Sequence, residues 1–137
     1  MMRLLDTNVL SELVRARPDP VVVGQLRQHH SRELFASVIT RYELRYGASL
    51  RQDAEAFWAR LQHSIMPVVT WLPVTQAIAE RGGVIAAALR RAGRTCGDLD
   101  PLLAATALEH DLTLVTRNVK HFEQVPQLSI ENWFKET

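Results

Sequence analysis

The chain has 137 residues, and 16 Lys and Arg against 15 Asp and Glu leave a formal charge of +1. That length favours one domain, 1–137, with a radius of gyration of roughly 14 Å, and a composition 47% hydrophobic and 23% charged excludes disorder, collagen and coiled coil. The one cysteine, Cys96, excludes an internal disulfide framework, no CxxC or HExxH spacing marks a zinc site, and no apolar run approaches the ~18 residues of a membrane span.

Arg3 to Asp6 reads as a short strand, followed by Thr7-Asn8 and by Val9, Leu10, Leu13 and Val14 at helical spacing. Asp6 also interrupts the apolar start before a secretory segment could form, so the expectation is a cytoplasmic protein with no membrane partner. Pro18-Asp19-Pro20 stops the first helix and starts a second, from Val21 to about His30, because proline at a first helical position loses no needed donor. Leu34 to about Ser37 reads as a buried strand, with Thr40 capping a helix from Arg41 to near Gly47. A polar helix over about Gln52–Ser64 precedes a third strand, Val68–Leu72. Thr75 to Ala92 has the composition of a good helix ending at Gly93, weakened by roughly 1 kcal/mol for each of Gly82 and Gly83. Asp100-Pro101 opens an apolar helix, Leu112–Val115 is a fourth strand, and Leu128–Ile130 is a candidate fifth. Strands alternating with helices predict an α/β fold, a mainly parallel sheet of four to five strands covered on both faces.

In such a sheet, ligands bind outside the carboxyl ends of the strands. Asp6 ends strand one, Glu43 lies in the first turn after strand two, Asp100 opens the buried helix, and Asn118 follows strand four. Ionised carboxylates drawn to about 5 Å would repel by roughly 3 kcal/mol per pair at an effective dielectric of 20. A divalent cation with oxygen ligands, Mg2+ or Mn2+, offsets that repulsion directly. Each acid also has a plainer reading. Asp6, Thr7 or Asn8 could cap helix one, Thr40-x-x-Glu43 is a capping box, and Asp100 before Pro101 is a natural N-cap. Asp98 reads as a solvated loop acid. Capping alone does not require three helices to present their acids at one edge of one sheet, so together they favour a metal site.

Four blocks then resemble, in order, those of PIN-domain ribonucleases of the VapC toxin type. They are Leu4-Leu5-Asp6-Thr7-Asn8-Val9-Leu10, Ser37-Val38-Ile39-Thr40-Arg41-Tyr42-Glu43-Leu44-x-x-Gly47, Asp100-x-Leu102-Leu103-Ala104-Ala105-Thr106-Ala107, and Leu114-Val115-Thr116-Arg117-Asn118-x-x-His121-Phe122. The resemblance runs from Leu4 to about Trp133. It implies a three-layer PIN sandwich and a Mg2+- or Mn2+-dependent endoribonuclease, with RNA as substrate. It also implies the toxin role in a toxin-antitoxin pair, with a small antitoxin protein as partner. Carried over by position, Asp6, Glu43 and Asp100 match the family's three acids, and the Leu-Leu-Ala-Ala register selects Asp100 over Asp98. Asn118 stands where many members carry a fourth acid; an amide there can bind a metal-held water or orient substrate. Thr7 and Asn8 accompany the first acid as supporting residues.

Arg41, Arg45 and Arg117 are candidates for phosphate contacts, since guanidinium forks match phosphate oxygens; the plainer reading of Arg41 and Arg45 is a solvated helix face. His121 could donate to phosphate or, with Phe122, belong to a structural turn. Phe57 and Trp58 on a polar helix supply apolar surface for an expected homodimer, and the antitoxin is expected to bury a segment in the acidic groove. A second reading is a catalytically silent PIN-like adaptor that binds RNA or protein. A phospho-accepting receiver domain expects an acidic pair at strand one, and a DxD phosphohydrolase expects an acid where Asn8 stands. Near-zero net charge counts against nonspecific coating of nucleic acid but is compatible with one focused phosphodiester site.

Overall fold

The computed structural model describes residues 2–94 and 96–134. Five short strands form one sheet: β1 (Arg3–Leu5), β2 (Leu34–Ser37), β3 (Thr70–Leu72), β4 (Thr113–Val115) and β5 (Ile130–Glu131). Their order is β3-β2-β1-β4-β5, with every neighbouring pair parallel. The predicted mainly parallel sheet is thus wholly parallel, and the fifth strand lies slightly later than expected, at Ile130–Glu131.

Parallel strands require crossovers, and helices supply them on both faces. On one side lie α1 (Thr7–Leu10), α2 (Pro20–Gln28), α3 (Val38–Ser49) and α4 (Ala54–Ser64); on the other lie α5 (Gln76–Arg91), α6 (Asp100–Glu109) and α7 (Val119–Phe122). Successive strand residues point to opposite faces. Leu5 and Val115 therefore join Val9, Leu26, Leu44 and Leu61 in one core, while Leu4 and Leu114 join Leu103, Ala104, Ala107 and Phe122 in the other. The result is a three-layer sandwich. Among the described residues, no helix is long and apolar enough to cross a membrane.

Local chemistry explains most boundaries. Asp19 accepts the Val21 and Val22 N–H groups and Pro20 occupies the first turn of α2, the expected start. Glu12, a buried acid in the 3-10 turn Ser11–Val14, holds the approach to that start by accepting the Asp19 N–H at 2.7 Å and pairing with Arg15 at 3.0 Å. The helix after β2 departs from expectation. It begins at Val38, three residues early, because Ser37 rather than Thr40 is the cap: Ser37 Oγ accepts the Ile39 N–H at 3.0 Å. Thr40 is buried in the first turn, and α3 runs past Gly47 to Ser49. Gly82 and Gly83 do not break α5. A Cβ at Gly82 would stand 2.8 Å from Leu102 Cδ2, so its absence lets α5 and α6 approach closely, and packing outweighs the propensity cost. Gly93, at φ 71°, follows α5 in the left-handed conformation that favours glycine.

Candidate active site at the carboxyl edge of the sheet

The strand order reverses direction at β1, where the chain has laid β2 and β3 on one side and β4 and β5 on the other. The carboxyl ends of the strands at such a point are the place where open parallel sheets bind ligands. Asp6 lies directly at this point. Its backbone N–H donates to Val115 O at 2.9 Å, continuing the β1–β4 ladder by one residue beyond the strand.

Asp6 is 6% exposed. Oδ1 accepts the Thr7 N–H at 2.7 Å, and Oδ2 accepts the Thr116 hydroxyl at 2.8 Å. Asp6 therefore is the cap of α1, as its plainer reading held. Capping does not exhaust its environment, because burial pushes its pKa up to about 6. Hydrogen bonds from Thr116 and the Thr7 N–H oppose the rise, and the negative charges of Glu43 and Asp100 add to it. Asp6 thus feels the other two acids across the edge.

Glu43 projects from α3 into solvent and accepts the Thr7 hydroxyl at Oε1, 2.6 Å away. Thr7 Oγ1 also lies 3.3 Å from Thr40 Oγ1. The capping box predicted for Thr40 and Glu43 is not formed, since the helix starts before Thr40; Glu43 is joined to the first residue of α1 instead. Asp100 likewise does not cap α6 with its side chain. It is the first helical residue, its predecessor Leu99 has no capping side chain, and Asp100 Oδ2 turns back to accept the Gly97 N–H at 2.8 Å and to meet His121 Nδ1 at 2.9 Å. Two of the three plainer readings therefore lose their structural basis.

The remaining candidates lie around this edge. Asn8 Oδ1 accepts the Arg117 N–H at 3.3 Å, while Asn8 Nδ2 stands 3.5 Å from Asp6 Oδ2. Asn118 is exposed, and its backbone N–H donates to Thr116 Oγ1 at 3.0 Å. Asp98 is exposed in the loop before α6. Arg117 lies over the Phe134 ring at 4.7 Å. Arg41 packs over Trp71 at 5.1 Å, and Arg45 is turned to Glu55 at 3.1 Å and over Trp58 at 5.0 Å. Arg41 and Arg45 are thus partly buried against aromatic rings rather than on a freely solvated face. Beside Thr7 and Glu43 opens a groove of about 560 Å³, floored by Leu44, Ala48, Phe57 and Leu61 and rimmed by Arg15, Arg17 and Arg51.

Thr116 and His121 are the residues whose part at this edge the sequence concealed. Thr116 is fully buried, and its hydroxyl is committed on both sides, donating to Asp6 and accepting from Asn118. Its position as the last residue before Arg117-Asn118, at the end of the strand beside β1, is the signal that could have found it. The donor set, carboxylates without a thiolate or imidazole cluster, fits a hard cation taking oxygen ligands. Among the described residues no three His, Cys, Asp or Glu side chains form a group close enough to hold an ion by themselves. An open edge of this kind suits Mg2+, which keeps several waters and takes few protein carboxylates.

The chain matches the PIN domain family over residues 3–128. It is 35% identical over 129 residues to ribonuclease VapC19 of Mycobacterium tuberculosis, covering 93% of this chain and 97% of that protein. It is 34% identical over 126 residues to toxin FitB of Neisseria gonorrhoeae, covering 88% and 91%. Among solved structures it resembles VapBC2 from Rickettsia felis bound to a DNA fragment from its promoter, with a TM-score of 0.86, 27% identity and 97% and 99% of the two chains covered. FitAcB from Neisseria gonorrhoeae gives a TM-score of 0.85 at 32% identity, covering 96% and 97%.

Proposed function

The chain belongs to the PIN-domain family, and from that premise we propose that it is an endoribonuclease that hydrolyses RNA phosphodiester bonds with Mg2+ or Mn2+ and acts as the toxin of a toxin-antitoxin pair. The observation that carries this reading is the buried carboxyl of Asp6 at the switch point of the sheet, its pKa raised first by burial and then by the charges of Glu43 and Asp100, with no basic partner among its hydrogen bonds. Relatives named ribonuclease VapC19 and tRNA(fMet)-specific endonuclease VapC support the reaction class, and neighbours solved as toxin-antitoxin complexes support the pairing.

Asp6, Glu43 and Asp100 would hold the cation. A bound divalent cation supplies Lewis acidity, which lowers the pKa of water and stabilises charge developing on a phosphoryl group. Thr116 and the Thr7 N–H hold the Asp6 oxygens in place. Glu43 is the exposed acid, steadied by Thr7, and would take the proton of an attacking water. Asn118 and Arg117 lie at the β4 end of the edge, where an amide and a guanidinium orient a phosphate. Thr7 and Asn8 tie the first acid to α3 and to the β4 loop respectively.

A partner segment seated in the groove beside Glu43 would block the site, and the apolar floor with its arginine rim suits a chain carrying both apolar and acidic residues. A homodimer is also part of this proposal, through a different surface from the one expected. Phe57 and Trp58 are half-buried and pack on the core, whereas Val38, Tyr42 and Tyr46 of α3 and its C-cap Leu50 form an exposed apolar stripe at successive i, i+4 positions. The chain is proposed to act in the cytoplasm, where RNA and antitoxin are both available.

The alternative, a silent adaptor that only binds RNA or protein, is favoured by Asn118 at the fourth position and by the openness of the acid edge. The two readings separate in one assay. Purified chain incubated with cellular RNA and Mn2+ is expected to cleave it, and Asp6→Asn and Asp100→Asn to abolish cleavage while remaining folded. Full activity in either variant refutes the enzyme reading, and absence of cleavage by the wild type with retained partner binding supports the adaptor.

A further inference from the structure

We propose that His121 is a positioning residue for the acid edge, clamping Asp100 Oδ2 together with the Gly97 N–H so that Oδ1 alone is presented to the cation; this rests on Asp100 being a cation ligand as proposed above. Because α6 does not use the Asp100 side chain as a cap, nothing within the helix holds that carboxylate. The two contacts that hold it come from elsewhere: the Gly97 N–H at 2.8 Å and the His121 ring at 2.9 Å, both on Oδ2. An ionised carboxylate only accepts, so Nδ1 carries the proton of this bond. Oδ1 has no hydrogen-bond partner among the described residues.

The surroundings fit a clamp. A Cβ at Gly97 would stand 3.1 Å from Oδ2 and 3.3 Å from the carboxyl carbon, so the carboxylate is closely seated against the Gly97 backbone. The imidazole is not a core filler, since its side chain is 42% exposed. Its backbone is nonetheless fixed: the His121 N–H donates to Asn118 O at 3.0 Å, and the next residue, Phe122, is buried in the core. His121 thus links α7 to the start of α6. Groups that orient a metal-binding carboxylate in this way carry roughly 10- to 100-fold in metal affinity or activity.

The test measures Mn2+ binding to the full chain by electron paramagnetic resonance of the free ion, with thermal unfolding in chelator as a control. His121→Ala is expected to weaken Mn2+ binding roughly 10- to 100-fold while metal-free unfolding is unchanged. His121→Asn, whose side-chain amide can supply a donor near the Nδ1 position, is expected to restore most of the affinity. Equal affinity in His121→Ala and wild type overturns the proposal, as do equal losses in both variants, since bulk rather than the donor would then be responsible. Independently of folding in the variants, nitrogen NMR of the metal-free wild type is expected to show the His121 ring protonated at Nδ1, and a ring protonated only at Nε2 overturns the clamp. A wild-type chain that shows protonated Nδ1 but binds no Mn2+ overturns the cation reading of Asp100, and the positioning role with it.

Discussion

Replacing Asp6 by Asn should stabilise the metal-free protein above neutral pH and remove a pH dependence that the wild type has. Burial raises the Asp6 pKa from its ordinary value of 3.8 to about 6. At about 1.4 kcal/mol for each tenfold change in proton affinity, that difference is about 3 kcal/mol. The sign follows from proton binding. The folded chain holds the Asp6 proton more tightly than the unfolded chain, so unfolding releases it between about pH 4 and 6, and stability falls as pH rises through that window. Above about pH 6.5 the loss is complete and the curve is flat with respect to this group. Asparagine keeps an acceptor for the Thr7 N–H but presents an amide nitrogen to the Thr116 hydroxyl, forfeiting a hydrogen bond of about 1 kcal/mol. The net expectation at pH 7.5 is a variant about 2 kcal/mol more stable, or about 6 °C in Tm for a chain of this size. Near pH 4 the order reverses, with the variant about half a kcal/mol less stable, because the wild type has by then lost about half a kcal/mol of the stability that its Asp6 proton supplies. Urea unfolding in chelator from pH 4 to 8 measures both curves. Parallel curves, or a variant less stable at pH 7.5, would refute the claim that Asp6 is ionised at a cost in the folded state.

Divalent cation should act on the same residue in the opposite sense: at one hundred times Kd, Mg2+ or Mn2+ should stabilise the wild type by about 2.7 kcal/mol and leave Asp6→Asn unchanged, which differential scanning fluorimetry would detect. Thr116→Val removes a buried hydroxyl bonded on both sides, and should cost about 1–3 kcal/mol in urea unfolding while raising the Asp6 pKa further, seen as a steeper loss of stability toward neutral pH. Adjacent glycines in α5 should respond oppositely. Gly83→Ala meets open space and should stabilise by about 0.5–1 kcal/mol, whereas Gly82→Val presses on Leu102 and should destabilise by about 1–3 kcal/mol. Tyr42→Glu with Tyr46→Glu should convert a dimer to monomer by light scattering without loss of Tm; a wild type that is already monomeric refutes the α3 interface.

Local signals were enough for the alternation of strands and helices, for Asp19-Pro20 at the start of α2, and for the placing of Asp6, Glu43 and Asp100 at element ends, because capping, periodicity and proline geometry act over a few residues. The ordered motifs around those acids were enough for the family. Local signals also misled where two acceptors competed: Ser37 and Thr40 both suit a cap, and the helix begins early enough that Ser37 takes the role and Thr40 is buried in its first turn. The groove, the exposed α3 stripe and the half-burial of Phe57 and Trp58 depend on how helices lie on the sheet, which no short stretch of sequence encodes. Thr116 and His121 show the same limit at the site itself. Thr116 meets Asp6 across 110 positions once parallel pairing has set β4 beside β1, and His121 meets Asp100 across 21 once α7 is packed against α6. The sequence alone determined which acids are available; the strand order and the burial it imposes decided that they share an edge, that Asp6 is held there near pKa 6, and which neighbours aim them.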